Sequence, residues 1–188
     1  MRTKEGRGLN RVPILILPGW GDSGPEHWQS LWEASDPACR RVVQRDWEQP
    51  ELEEWLETLD RDIAACEAPL VLVAHSLACS LVAHWVNRFG RLVKGALLVA
   101  PADVESPDHT PEGVRSFSPI PLVRFPFLST VVATSDDPFV AVDRAELFAR
   151  SWGSRLVVIP HGGHLNADSG LGEWPEGKKL LHELLAAS

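Results

Sequence analysis

The chain predicts an α/β fold of about six mostly parallel strands with helices on both faces. Three observations lead there. Short apolar runs alternate with longer stretches of helical period from Val12 to the C-terminus. Those runs are continuous rather than alternating, as expected of strands buried on both faces of a parallel sheet. Several stop at Pro or Ser, residues that mark the passage from strand to turn. At 188 residues the chain has the length of one domain, expected over 12–188. A domain of this size buries roughly 70% of its unfolded surface, enough for a core without disulfides.

The elements follow in order. Val12-Pro13-Ile14-Leu15-Ile16-Leu17 reads as the first strand, closed by Pro18-Gly19. Pro25 to Ala34 places Trp28, Leu31 and Trp32 at i, i+3 and i+4, the spacing of one helical face. Arg41-Val42-Val43 is a short second strand, and Pro50 to Cys66 carries a helical stripe of Leu52, Trp55, Leu56, Leu59 and Ile63. Leu70 to Ala74 is the third strand. The helix after it runs to about Phe89, where Gly90 is a stop signal. Gly95–Ala100 is the fourth strand, Thr130–Ala133 the fifth and Arg155–Ile159 the sixth. Helices from Val142 to Trp152 and from Pro175 to Ala186 complete the alternation. Between Pro101 and the fifth strand, Ala102 to Pro126 has five prolines and no clear period. It is expected to lie as an irregular flap, because proline breaks helices.

Composition narrows the function. A net charge of −8 argues against nucleic acid or an anionic membrane as a partner held by a broad basic surface. The three cysteines, Cys39, Cys66 and Cys79, lack CxxC spacing and read as free, mostly buried thiols of a reducing compartment. Residues 1–11 are polar, are expected to be flexible, and lack the apolar core of a secretory signal. No apolar run approaches the roughly 20 residues that span a bilayer. The expected address is cytoplasmic.

The chemistry centres on Val73-Ala74-His75-Ser76-Leu77-Ala78. An apolar strand stops at a serine and a helix resumes, which is the sharp turn that holds a nucleophilic serine out of the sheet. The usual form has glycine two residues either side; Ala74 and Ala78 relax it here. Such a serine needs a base and an acid, in the order Ser, Asp, His. Downstream, Ser135-Asp136-Asp137-Pro138 follows the fifth strand, and Pro160-His161-Gly162-Gly163-His164 follows the last. All three positions lie just beyond strand ends, where open α/β sheets place their sites. For the base, His164 is preferred to His161, because the two glycines let the loop fold back. For the acid, Asp137 and Asp136 compete, with Asp137 preferred. An oxyanion hole is expected from the backbone N–H groups of Leu77, at a helix N-terminus, and Trp20, beyond the Pro18-Gly19 turn.

These segments, together with Pro18-Gly19-Trp20-Gly21, Gly24-Pro25-Glu26-His27-Trp28-Gln29 and Gly163-His164-Leu165-Asn166, resemble the small serine hydrolases. The similarity is to the retinoblastoma-binding-protein-nine-like, or YdeN-like, branch of the α/β-hydrolase superfamily, from about Val12 to the C-terminus. The resemblance implies a reduced α/β-hydrolase fold, a Ser76–Asp137–His164 triad and carboxylesterase-like activity. It places the acid three residues before Val140, which favours Asp137. Pro18 departs from the histidine many superfamily members carry before the oxyanion glycine.

Trp20, His75, Phe117 and Leu122 are the expected substrate contacts, and the expected substrate is a small-molecule ester or thioester. Asp22 and His27 read more simply as a turn residue and a helix-start histidine. The letters of a dinucleotide motif occur at Gly19-Trp20-Gly21-Asp22-Ser23-Gly24, with Asp46 as its acidic partner. That reading leaves the Ser–Asp–His order unexplained, and no H-E-x-x-H metal spacing occurs, so neither cofactor nor metal is expected. The alternative from another class is a non-catalytic interaction protein on the same fold. A protein partner is compatible with the sequence but not indicated by it.

Overall fold

The computed structural model of the chain describes residues 11–67 and 69–187. The polar segment at 1–10, expected to be flexible, lies outside the described residues. Among those described, six strands form one sheet: β1 (Ile14–Leu17), β2 (Cys39–Arg41), β3 (Val71–His75), β4 (Gly95–Val99), β5 (Leu128–Thr134) and β6 (Arg155–Ile159). Their spatial order is β2-β1-β3-β4-β5-β6, and every neighbouring pair is parallel.

The period of two along each strand sorts the core into two layers. Leu15, Leu17, Leu72 and Ala74 face one side, with α2 (Leu52–Ala64), α3 (Leu77–Phe89) and α4 (Val142–Trp152). Ile14, Ile16, Val71 and Val73 face the other, with α1 (Trp28–Ser35) and α5 (Pro175–Ala186). Five tryptophans on helical faces, Trp28, Trp32, Trp55, Trp85 and Trp152, are at most 1% exposed and form much of both layers. The three cysteines are free thiols; burial, with Asp36 and Glu33 nearby, pushes Cys39 up to about 12. None of the described helices is long and apolar enough to cross a membrane.

Several boundaries differ from those expected, three of them as follows. The first helix starts at Trp28 rather than Pro25, because the His27 side chain accepts the Gln29 N–H and so caps the helix there. The second strand is Cys39–Arg41, paired with Ile14–Ile16, and lies two residues earlier than its apolar letters indicated. The fifth strand begins at Leu128, since Leu128 and Ser129 pair with Gly95 and Ala96; the buried Ser129 hydroxyl shares a hydrogen bond with that of Ser154. The proline-rich flap is irregular apart from a 3₁₀ helix at Glu112–Phe117. Arg115 ties it together through the carbonyls of Val104 and Thr110, both at 2.6 Å. Arg144 on α4 anchors it through Asp103, at 3.2 Å, and Glu105.

What matters for the site is the reversal at β1. The chain leaves β1 outward to β2, then returns to the other side of β1 as β3. The loops after β1 and β3 therefore leave from adjacent strand ends, with Leu17 opposite Ala74. That is the crevice where ligands bind in open α/β sheets.

Candidate active site

Ser76 stands between β3 and α3 with φ 56° and ψ −121°, a conformation L-residues avoid. It is held there from both sides. Its N–H donates to the Val99 carbonyl on β4, and its own carbonyl accepts the Cys79 N–H in the first turn of α3. The loop after β1 packs directly on this turn. A Cβ on Gly19 would fall 2.8 Å from Ser76 Cβ and 3.0 Å from the His75 carbonyl oxygen, so only glycine fits. Alanine at 74 and 78 is accommodated, both fully buried.

His164 reaches Ser76 from the loop after β6, with its Nε2 2.8 Å from Ser76 Oγ. Its Nδ1 lies 2.9 Å from each carboxylate oxygen of Asp137, in the loop after β5. Asp137 Oδ1 also accepts the Phe139 N–H, and its side chain is wholly buried. A carboxylate acceptor fixes the histidine tautomer: Nδ1 carries the proton, and the Nε2 lone pair faces the serine hydroxyl. The three residues expected from the sequence are thus brought within hydrogen-bond reach of one another.

The competing residues pair elsewhere. The His161 side chain is 88% exposed, and its Nδ1 lies 3.9 Å from Asp136. Asp136 shapes the loop instead, accepting the Gly163 N–H at 2.9 Å. Gly162 lets that loop pass close to β5, since a Cβ there would fall 2.8 Å from Thr134 Cγ2.

Two buried ring N–H groups hold the loop from beneath. His75 Nε2 donates to the His164 carbonyl at 2.9 Å, and Trp28 Nε1 donates to the Leu165 carbonyl at 2.7 Å. Trp28 packs in turn on Trp32 and Trp174. The rings of His27, His75 and His164 form a row with successive centroids 4.8 Å apart. Burial holds His75 well below the usual histidine range, reinforced by His164 and His27. Burial, aided by Arg41 and His164, lowers His27 to about 4. Both rings are therefore neutral at pH 7.

Trp20 walls the site from the loop after β1. Its indole N–H donates to the Glu48 carbonyl at 3.0 Å, and the Gly21 N–H donates to Trp47. Arg41 secures the same loop through Asp22 at 2.6 Å. A dinucleotide motif needs this loop to run straight into a helix, but α1 starts four residues past Gly24. Asp46, its acidic partner, spends Oδ1 on the N–H groups of Glu48 and Gln49.

A cavity of about 180 Å³ opens over Ser76, lined by Trp20, His75, Leu77 and His164. The flap contributes Ala102, Val104, Thr110, Pro111 and Val114. Phe117 and Leu122, expected as substrate contacts, do not line it. Phe117 is fully buried, packed edge-on to Trp55 in the core beside α2 and α3. Leu122 points to solvent at 48% exposure. Asp22, His27, Phe139 and Asn166 also line the cavity. Of the residues missed, Val104, Thr110, Pro111 and Val114 carry no periodic signal, because the flap has no period.

A parallel α/β sheet with a strained serine after a central strand, in contact with a histidine–carboxylate pair, defines a hydrolase of the α/β-hydrolase fold. The chain belongs to the serine hydrolase family, whose model matches residues 14–183. It is 28% identical over 173 residues to the YdeN protein of Bacillus subtilis, covering 86% of this chain and 90% of that one. Among solved structures it is similar to a YdeN-like protein of Pectobacterium atrosepticum, with a TM-score of 0.83 and 31% identity over 93% of this chain and 91% of that one. Est1E of Butyrivibrio proteoclasticus shares the fold, with a TM-score of 0.66 at 14% identity over 96% and 91% of the two chains.

Proposed function

We propose that the protein hydrolyses small carboxylic esters or thioesters through an acyl-enzyme on Ser76. The observation that carries this reading is the unbroken contact from Ser76 Oγ through His164 to the Asp137 carboxylate. In the first half-reaction, Ser76 Oγ bonds to the substrate carbonyl carbon while its proton passes to His164 Nε2. The carbonyl π pair moves onto oxygen, where the N–H groups of Leu77 and Trp20 receive it. Such a donor is typically worth about 10²–10³ in rate. The imidazolium is stabilised by the Asp137 carboxylate beside it. Collapse of the adduct expels the alkoxide or thiolate, which takes the proton from His164 Nε2. A water molecule then repeats the sequence on the acyl-serine, and the carboxylic acid leaves.

The compact cavity favours short or medium acyl chains. Each methylene buried repays roughly 0.8 kcal/mol, and a cavity of about 180 Å³ has room for few of them. A fluorophosphonate probe tests the nucleophile, because only an activated serine labels quickly. A series of p-nitrophenyl esters tests the acyl preference. Specificity constants that rise steadily from acetyl to palmitoyl would contradict the proposed size limit.

A further inference from the structure

Phe139 stands in the loop after β5, two residues beyond Asp137, and its ring has no place in the core. It is half-buried and belongs to neither of the apolar layers that flank the sheet, whereas its neighbour Val140 is 2% exposed and joins the layer of α2, α3 and α4. The Phe139 ring lies instead against the His164 imidazole, with centroids 4.4 Å apart and planes tilted by 54°. Its backbone is clamped on both sides. The N–H donates to Asp137 Oδ1 at 2.9 Å, and the carbonyl accepts the Asp103 N–H at 2.9 Å, at the start of the flap. Asp103 is held in turn by Arg144 on α4. Phe139 is thus tied to the acid through its backbone while its ring rests on the base.

The backbone of the histidine loop is anchored separately. The carbonyls of Gly162, Gly163 and His164 accept bonds from the side chains of Ser169, Thr134 and His75. Those bonds fix the main chain and leave the torsions of the His164 side chain free. The imidazole is located by Asp137 at Nδ1, by Ser76 at Nε2, and by two neighbouring rings, His75 at 4.8 Å and Phe139 at 4.4 Å. Two hollows border His164: the substrate cavity, and an open groove beyond it that runs past His161 and Ser169. Phe139 lines both, so without its ring the imidazole would face a larger open space.

We infer that Phe139 is a positioning residue for His164. Its ring keeps the imidazole turned so that Nδ1 stays on Asp137 and Nε2 stays on Ser76 Oγ during proton transfer. The inference rests on Ser76 being the nucleophile and His164 its base. Misplacement of a reacting group by about 1 Å can cost on the order of a hundredfold in rate, so a ring that holds the base acts on kcat, by the same factor for every acyl group. A ring that served only as a wall of the cavity would act on KM, and more strongly as the acyl chain lengthened.

The test compares Phe139→Ala with the wild type on p-nitrophenyl acetate and p-nitrophenyl butyrate. kcat is expected to fall about ten- to a hundredfold, by the same factor for both esters, with KM changing less. Phe139→Val serves should Phe139→Ala not fold. Phe139→Tyr keeps the ring and should retain most of the wild-type kcat. Proton NMR gives a readout independent of turnover: the downfield resonance of His164 Nδ1–H, in its hydrogen bond to Asp137, should be broadened or lost in Phe139→Ala and kept in Phe139→Tyr. A folded Phe139→Ala with wild-type kcat, a loss confined to KM that grows with acyl length, or a Phe139→Tyr no better than Phe139→Ala overturns the inference. In each of those cases Ser76-dependent turnover by the wild type leaves the proposed function standing. Absence of Ser76-dependent turnover overturns the proposed function, and this inference with it.

Discussion

His75 Nε2 donates to the backbone carbonyl of His164 across 2.9 Å, so the residue before the serine holds the residue that would activate it. The nucleophile turn and the histidine loop are thereby fixed to each other by a neutral, buried ring. His75→Phe keeps an aromatic ring, slightly larger, and removes the donor. An unsatisfied carbonyl of this kind costs about 1–3 kcal/mol of stability. Loss of alignment should also lower kcat about ten- to a hundredfold with a smaller effect on KM. Steady-state kinetics on the folded variant check this; a wild-type kcat would reduce His75 to packing.

The competing acid and base separate by geometry. His164→Ala and Asp137→Asn should each cripple turnover. His161→Ala should be mild, because that ring is exposed. Asp136→Asn should be mild too, because asparagine still offers an oxygen to the Gly163 N–H. Kinetics of the four variants decide it. An inactive His161→Ala beside a working His164→Ala would reverse the assignment.

Gly19 offers a steric test. Gly19→Ala drives a methyl into Ser76 Cβ and the His75 carbonyl, so kcat/KM should fall at least about tenfold through misplacement of the serine. At Gly24 an added Cβ would meet nothing within 4 Å, and the backbone there has no positive φ. Gly24→Ala should accordingly stay within about 0.5 kcal/mol of wild-type stability and keep its activity.

Stability should decline on acidification below the ordinary histidine range. His27 titrates near 4 in the folded chain, and His75 well below the usual value; unfolded, each takes up a proton near 6.5. Between those limits the unfolded state binds more protons, so stability is full above about pH 6.5 and is lost as the pH falls toward 4. Each such group contributes a slope of about 1.4 kcal/mol per pH unit. Urea midpoints at pH 7, 5.5 and 4.5 measure the decline. His27→Asn should flatten it by one proton; an equally steep decline in that variant would contradict the assignment.

Central strands were legible because burial on both faces writes them as unbroken apolar runs, as in β4, buried throughout; the edge strand β6, though partly exposed, matches its expected span residue for residue. β2 was not, since its hydrogen bonds to β1 engage Cys39, Arg40 and Arg41 while the apolar letters begin at Val42. Ser76, Asp137 and His164 could be read from turns placed just past strand ends. The flap defeated the same logic. Hydrophobicity marks Phe117 for burial without saying whether core or cavity receives it, and it lies against Trp55. His27 was legible as a helix-start residue, and its cap to Gln29 is local; its place in the cavity arises only once β1 and β3 are adjacent.

The identity of the nucleophile is tested most directly by hydrolysis of p-nitrophenyl acetate by Ser76→Ala. Removing one partly exposed oxygen should leave the thermal midpoint close to wild type while kcat/KM falls by several powers of ten, about 10⁶ where a nucleophile of this type has been removed. A folded Ser76→Ala that keeps about a tenth or more of wild-type activity would contradict the account, because Ser76 would then not be the nucleophile.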